Sequence, residues 1–162
     1  MNDTRECIIS ASNLTKEEVT TDIFSRLVCV EENIAENVKQ CFNLLKTGPK
    51  EKQKFQVSLD AEDIQMLFRK TGKIYAGFQY VPDNEQIETV AEELLNKILK
   101  LTIKEVTAFL VMFIGQLDLM SAMGAVIKIQ NRYEDAIILM CACEDTSVES
   151  GMEIMIATSC KK

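Results

Sequence analysis

The chain has 162 residues, of which 47% are hydrophobic, and this suits one globular domain with a single core. Its net charge of −7, with no basic patch along the sequence, argues against nucleic acid and anionic lipid as partners. The longest apolar run, Val106–Ile114, is much shorter than the roughly 20 residues that a membrane-spanning helix needs, so no membrane association is expected.

The cysteines and the first residues indicate a reducing compartment. Six cysteines are scattered along the chain, without the regular spacing of a disulfide framework. Residues 1–6 do not show the charged and then apolar pattern of an export signal. We therefore expect a cytoplasmic protein.

The N-terminal part predicts one long helix after an irregular arm. The arm covers residues 1–14, and Thr15 with Glu18 three residues later forms a capping box that begins a helix over 15–47. Gly48, followed by proline, ends this helix. Apolar residues recur every three or four positions on its first face: Val19, Ile23, Leu27, Val30, Ile34, Val38, Cys41 and Leu45.

The same predicted helix carries a second apolar stripe, made of Phe24, Val28, Ala35 and Phe42. An ordinary surface helix needs only one apolar face. We expect the second stripe to bind a partner chain or a second copy, or to lie under the N-terminal arm. The alternative is that the helix has one broad surface facing the core.

The rest of the chain predicts an α+β domain over residues 61–162, joined to the long helix by a polar loop over residues 48–60. Helices are predicted at 61–70, 85–100 and 120–132, and strands at 73–81, 105–114, 136–143 and 152–158. Two strand–helix–strand crossovers and a hairpin between the last two strands give a mixed four-stranded sheet with helices packed on it.

Tests for catalytic and cofactor sites in the sequence are mostly negative. There is no histidine for a serine or cysteine hydrolase site. Cys141, Cys143 and Cys160 lack an evident fourth ligand, so we interpret them as core residues and predict no metal. The six glycines form no phosphate-binding loop, because no two of them lie within four residues of each other. The chain is therefore predicted to bind no cofactor and not to be an enzyme by itself.

A pair of acids remains as a candidate site. Asp60 and Asp63 stand at the N-terminus of the helix predicted at 61–70, where backbone amides stabilise negative charge. Their spacing alone favours simple capping of the helix. A functional role for the two acids needs support beyond their spacing.

That support comes from a resemblance to FtsZ, the bacterial homologue of tubulin. The segment Val57–Ile64 resembles the FtsZ synergy loop, which has the pattern Asn-x-Asp-x-x-Asp after an apolar residue. Leu110–Leu119 is similar to the family's apolar strand that ends in a glycine-containing turn and Asp-Leu. Asp135–Ala142 and Met152–Thr158 resemble its last two strands, and the long helix occupies the place of the helix that links the two FtsZ domains.

The resemblance implies an FtsZ C-terminal-domain-like module without the GTPase domain. In FtsZ filaments the synergy loop docks over the nucleotide of the neighbouring subunit, and its two aspartates help to position the attacking water. Carried over, these are Asp60 and Asp63, acting only in trans, while Ser58 stands where the family has asparagine. The implied function is association with FtsZ-type filaments or their modulation in cell division, with an FtsZ-like protein or a second copy as partner. Alternatives are one half of a split tubulin-like GTPase, or an unrelated oligomeric ligand-binding protein on the same fold.

Overall fold

A computed structural model of the chain describes residues 16–69, 71–82, 86–102 and 105–161. The helices are α1 (Lys16–Arg26), α2 (Ala35–Thr47), α3 (Ala61–Phe68), α4 (Ile87–Leu99) and α5 (Leu119–Arg132), with a 3-10 turn at Glu32–Ile34. The strands are β1 (Leu27–Cys29), β2 (Gln53–Val57), β3 (Thr71–Val81), β4 (Val106–Gly115), β5 (Ile137–Asp145) and β6 (Met152–Lys161). The predicted arm, residues 1–14, and the predicted cap Thr15 lie outside the described residues. No helix within the described residues is long and apolar enough to cross a membrane.

The strands form one mixed sheet in the order β1-β3-β6-β4-β5-β2. The α+β class and the mixed sheet are as predicted, but the described sheet has six strands rather than four. β1 is parallel to β3 and β4 is parallel to β5, whereas β6 runs antiparallel to both β3 and β4, and β2 runs antiparallel to β5.

The predicted hairpin of the last two strands is wrong, because β6 lies between β3 and β4. Its side chains explain this position. Met155 and Ala157 point to one face of the sheet, Ile154 and Ile156 point to the other, and all four are buried. A strand that is apolar on both faces is stable only in the middle of a covered sheet.

Helices cover both faces of the sheet and divide the core into two layers. On one face, α1, α2 and α3 pack against Leu110 and Met112 of β4. On the other face, α4 and α5 pack against Phe109, Val111 and Phe113 of the same strand. The nearly continuous apolar sequence of β4 follows from this double burial.

The long helix predicted over 15–47 is broken in two. The chain leaves α1 at Arg26 and forms β1, whose residues Leu27–Cys29 lie beside Ile74–Ala76 of β3, before it enters the 3-10 turn and α2. Four consecutive apolar residues, Leu27–Val30, cannot all lie on one face of a helix. As a strand they pair with the edge of β3, and the Val30 amide continues that pairing by donating to the Ala76 carbonyl at 2.9 Å.

The segment predicted as a loop over 48–60 contains β2. Its side chains alternate between half-buried and exposed, as expected for a strand at the edge of a sheet. The registers Gln53 with Asp145 and Phe55 with Cys143 place it along the C-terminal half of β5. The loop that leads into α3 is therefore short and starts from a fixed strand.

Candidate functional site

The two acids singled out from the sequence lie together at the N-terminus of α3. Asp60 is the N-cap of this helix, and its Oδ1 accepts a hydrogen bond from the Asp63 backbone amide at 2.8 Å. In return, Oδ2 of Asp63 accepts one from the Asp60 backbone amide at 3.2 Å. The predicted N-cap is thus confirmed, as one half of a reciprocal capping box.

Capping leaves part of each carboxylate available. One oxygen of Asp60 and one of Asp63 accept the amide hydrogen bonds, and the second oxygen of each has no partner among the described residues. Neither acid forms a salt bridge within those residues. Ser58, Asp60 and Glu62 are exposed and Asp63 is half-buried, so the surface around this helix start is acidic. Capping and a contact with a second molecule are therefore compatible.

Hydrogen bonds between β2 and the end of β5 hold the strand that precedes these acids. Gln53 Nε2 donates to Asp145 Oδ2 at 3.0 Å, and Gln56 Nε2 donates to Glu144 Oε2 at 3.1 Å. Only residues 58–60 then connect β2 to α3. Since both flanking elements are packed on the sheet, the acids are presented from a short, anchored segment.

The proposed second stripe of the long helix does not exist as one surface. Phe24 lies on α1, Val28 on β1, and both Ala35 and Phe42 lie on α2. Because the chain reverses between the two helices, the rings of Phe24 and Phe42 meet edge to face, with centroids 6.3 Å apart.

Phe42 also meets Phe68 of α3 at 6.4 Å, and only 2% of its surface is exposed. It is covered by the chain's own core, which agrees with the alternative of one broad surface facing the core. Edge-to-face aromatic pairs of this kind add to the burial of the rings. Through these two contacts the phenylalanines join α1, α2 and α3.

A polar cleft lies between α2 and the sheet, and it was not predicted from the sequence. It has a volume of about 580 Å³, and its lining includes Asp145, Glu153 and Gln53. Asp145 and Glu153 stand at the end of β5 and the start of β6, where acids usually indicate only a turn. No sequence signal separates these two from ordinary turn residues, because the cleft depends on the position of α2.

The pKa values of the two acids of this cleft are shifted in opposite directions. Burial alone would raise the pKa of Asp145, which is only 7% exposed, but hydrogen bonds from Ser147 and Gln53 hold that pKa below its ordinary value. Burial, and then the nearby charge of Asp145, raise the pKa of Glu153.

The four cysteines Cys41, Cys141, Cys143 and Cys160 are buried core residues. Cys141 and Cys143 pack in the same layer as Cys41, whereas Cys160 lies on a buried position of β6. Burial raises the pKa of Cys141 to about 12 and that of Cys143 to about 11, so both are protonated thiols at neutral pH. In the described part of the chain, no group of three or more histidine, cysteine or acidic residues is placed to hold a metal ion.

Comparisons with known proteins give matches among solved structures only. No family model and no curated protein matches the chain. A single-residue mutant of FtsZ from M. jannaschii superposes with a TM-score of 0.63 at 19% identity, over 79% of this chain and 38% of that one. The empty FtsZ dimer of M. jannaschii gives the same TM-score and identity, over 79% of this chain and 37% of that one.

The fold is that of an FtsZ-like C-terminal domain. TubZ from Bacillus thuringiensis serovar israelensis, in its GDP-form protofilaments, extends the likeness with a TM-score of 0.52 at 10% identity, over 80% of this chain and 36% of that one. The chain spans less than two fifths of the length of the FtsZ and TubZ structures that it matches. At these identities the similarity concerns the fold, and the function is argued from the site.

Proposed function

We propose that this chain is a protein-binding module that associates with FtsZ-type filaments and modulates them, in the setting of cell division. The fold supports the proposal, because it is shared with FtsZ from M. jannaschii and with TubZ in a protofilament. The observation that carries it is the start of α3, where Asp60 and Asp63 each keep one carboxylate oxygen without a partner among the described residues.

The proposed contact uses these free oxygens. The resemblance to the synergy loop implies that this segment docks over the nucleotide of a filament subunit, where carboxylates orient water or a cation. Ser58 occupies the asparagine position and presents a shorter side chain, so the contact at that point differs from the FtsZ pattern.

The expected effect is on the end of a filament. The residues of this chain include an acidic docking segment and no glycine-rich phosphate loop. A segment that occupies the nucleotide of a terminal subunit blocks the face on which the next subunit would dock. We therefore expect shorter polymers and a changed GTPase rate per FtsZ molecule.

The test measures polymer sedimentation and GTP turnover of FtsZ from the organism that encodes this chain, with the module in several-fold excess. Wild type is expected to change both quantities, and Asp60→Ser and Asp63→Asn are expected to remove the change while the melting temperature stays nearly constant. Serine caps a helix about as well as aspartate, so Asp60→Ser preserves the fold.

Asp118→Ser is the matched control. Asp118 caps α5 through the Ser121 amide, which is the same chemistry at another helix. This variant is expected to act like wild type. A wild-type module that leaves both polymer length and turnover unchanged would refute the filament proposal. If all three variants and wild type act equally, the module binds the filament, but the start of α3 does not make the contact.

A further inference from the structure

The outer side of α5 carries an apolar ridge that the described chain does not cover. Leu119, Met123 and Ile127 follow one another at intervals of four residues, and Met120 lies beside them. Their exposed fractions are 37% for Leu119, 46% for Met123, 49% for Ile127 and 81% for Met120. We call these four residues the α5 ridge. The opposite side of the helix, with Ala122, Ala125 and Ile129, is buried against the sheet.

The α5 ridge is also free of charge. Residues 119–127 contain no ionisable side chain, in a chain whose net charge is −7. Two copies that approach through an acidic surface repel each other, whereas residues 119–127 bring no charged side chain into a contact between two copies. Electrostatics therefore favours the ridge as a contact between identical molecules.

We propose that the α5 ridge is the contact of a weak, two-fold symmetric dimer of this chain. Ridges formed by residues four apart pack into the grooves of a second such helix at a crossing angle near −50°. A two-fold axis through Met123 places Leu119 of one copy opposite Ile127 of the other, and Met123 opposite its own equivalent. This proposal is independent of the filament function.

The ends of the helix agree with this arrangement. In an antiparallel pair the N-terminus of one α5 lies on the same side as the C-terminus of the other, so the helix dipoles are antiparallel, which is the favourable orientation. The charged side chains at the two ends are already engaged within the chain, because Asp118 accepts hydrogen bonds from Ser121 and Lys128 pairs with Glu88 at 2.9 Å.

The size of the ridge sets the strength of the dimer. Four side chains at these exposures offer a few hundred Å² of apolar surface, about half of the roughly 800 Å² that each partner buries in a standard interface. The dimer is therefore expected to form at high protein concentration and to dissociate on dilution. Methionine suits such a contact, because its flexible side chain adapts to the opposing surface.

The test is sedimentation velocity over a hundredfold range of concentration that reaches about 1 mM. Wild type is expected to shift from monomer to dimer, and Met123→Glu is expected to weaken association at least about tenfold, since it places two carboxylates on the two-fold axis. Met66→Glu on α3 is the matched control, because Met66 is 64% exposed and lies outside the ridge. It is expected to associate like wild type.

Cross-linking tests the symmetry. Met123→Cys is expected to form a disulfide-linked dimer under mild oxidation, well above the background of the native cysteines, and Met66→Cys is not. A wild type that stays monomeric to about 1 mM overturns the proposal and leaves the ridge to a different partner. A dimer that Met123→Glu does not weaken overturns it as well.

Discussion

Asp60 and Asp63 cap each other's backbone amides, with hydrogen bonds of 2.8 Å to Asp60 Oδ1 and 3.2 Å to Asp63 Oδ2. A capping box therefore determines how the acids of the candidate site are presented. The stability of each variant at these positions is therefore measured before a functional effect is assigned.

The first prediction separates capping from charge at Asp60. Asp60→Ala is expected to lower the free energy of unfolding by about 0.5–2 kcal/mol, because the Asp63 amide loses its acceptor, while Asp60→Ser stays close to wild type. Urea denaturation of both variants and of wild type measures this. Equal losses for alanine and serine would show that the Asp60 side chain does more than cap.

The second prediction concerns Phe42. Phe42→Ala is expected to cost about 3–5 kcal/mol, because it opens a cavity between α1, α2 and α3. Phe24→Ala is expected to cost less, because Phe24 is only half-buried. Both losses should appear in thermal melting at low protein concentration, where the proposed dimer dissociates. A Phe42→Ala protein as stable as wild type would contradict its place in the core.

The third prediction is a pH dependence at Glu153. Its pKa in the folded protein is raised above the ordinary 4.5, so folding favours the protonated form and stability falls as pH rises from about that value through the raised pKa. Glu153→Gln is therefore expected to stabilise the protein at neutral pH, and the gain should vanish in acid. Thermal melting as a function of pH measures the difference.

The fourth prediction concerns Asp145 and has the opposite sign. Its pKa is lowered from 3.8, so its contribution to stability is present above 3.8 and is lost as pH falls through the lowered value. Asp145→Asn is expected to cost about 1–3 kcal/mol at neutral pH, because hydrogen bonds to a charged acceptor are replaced by weaker ones. A loss that persisted unchanged in strong acid would contradict this origin.

The fifth prediction compares two glycines with positive φ. Gly151 has φ of 75°, and a Cβ there would lie 2.2 Å from the Val81 carbonyl oxygen. Gly48 has φ of 82°, with open space around the position of a Cβ. Gly48→Ala is expected to cost about 1–3 kcal/mol from backbone strain alone, because φ of 82° with ψ of 177° lies in a region populated essentially by glycine, and Gly151→Ala is expected to cost substantially more. Chemical denaturation of the two variants decides the comparison.

The sequence predicted the elements whose patterns are local. The helices at 87–99 and 119–132 show apolar residues at helical spacing, and β4 shows a nearly continuous apolar run, so each was placed within a few residues. The N-cap Asp60 was also found, because a capping box is a pattern over four residues.

The features that the sequence did not reveal depend on distant partners. Leu27–Cys29 has helical spacing with its neighbours, yet it becomes a strand because the edge of β3 offers hydrogen bonds. β2 is polar and short, and only its pairing with β5 makes it a strand. The cleft around Asp145 and Glu153 exists only after α2 has packed on the sheet.

The position of β6 has a consequence for synthesis on the ribosome. β6 is the last strand in the described sequence, and it joins β3 to β4 in the middle of the sheet. Until β6 emerges, the nascent chain holds two separate groups of strands. One group is β1 with β3, the other is β4 with β5 and β2, and the backbone of β3 and of β4 is unpaired on the side where β6 will bind. Such edges invite pairing with other chains. Completion of the domain therefore waits for its C-terminal residues, and a ribosome that stalls before residue 152 leaves a chain in need of a chaperone.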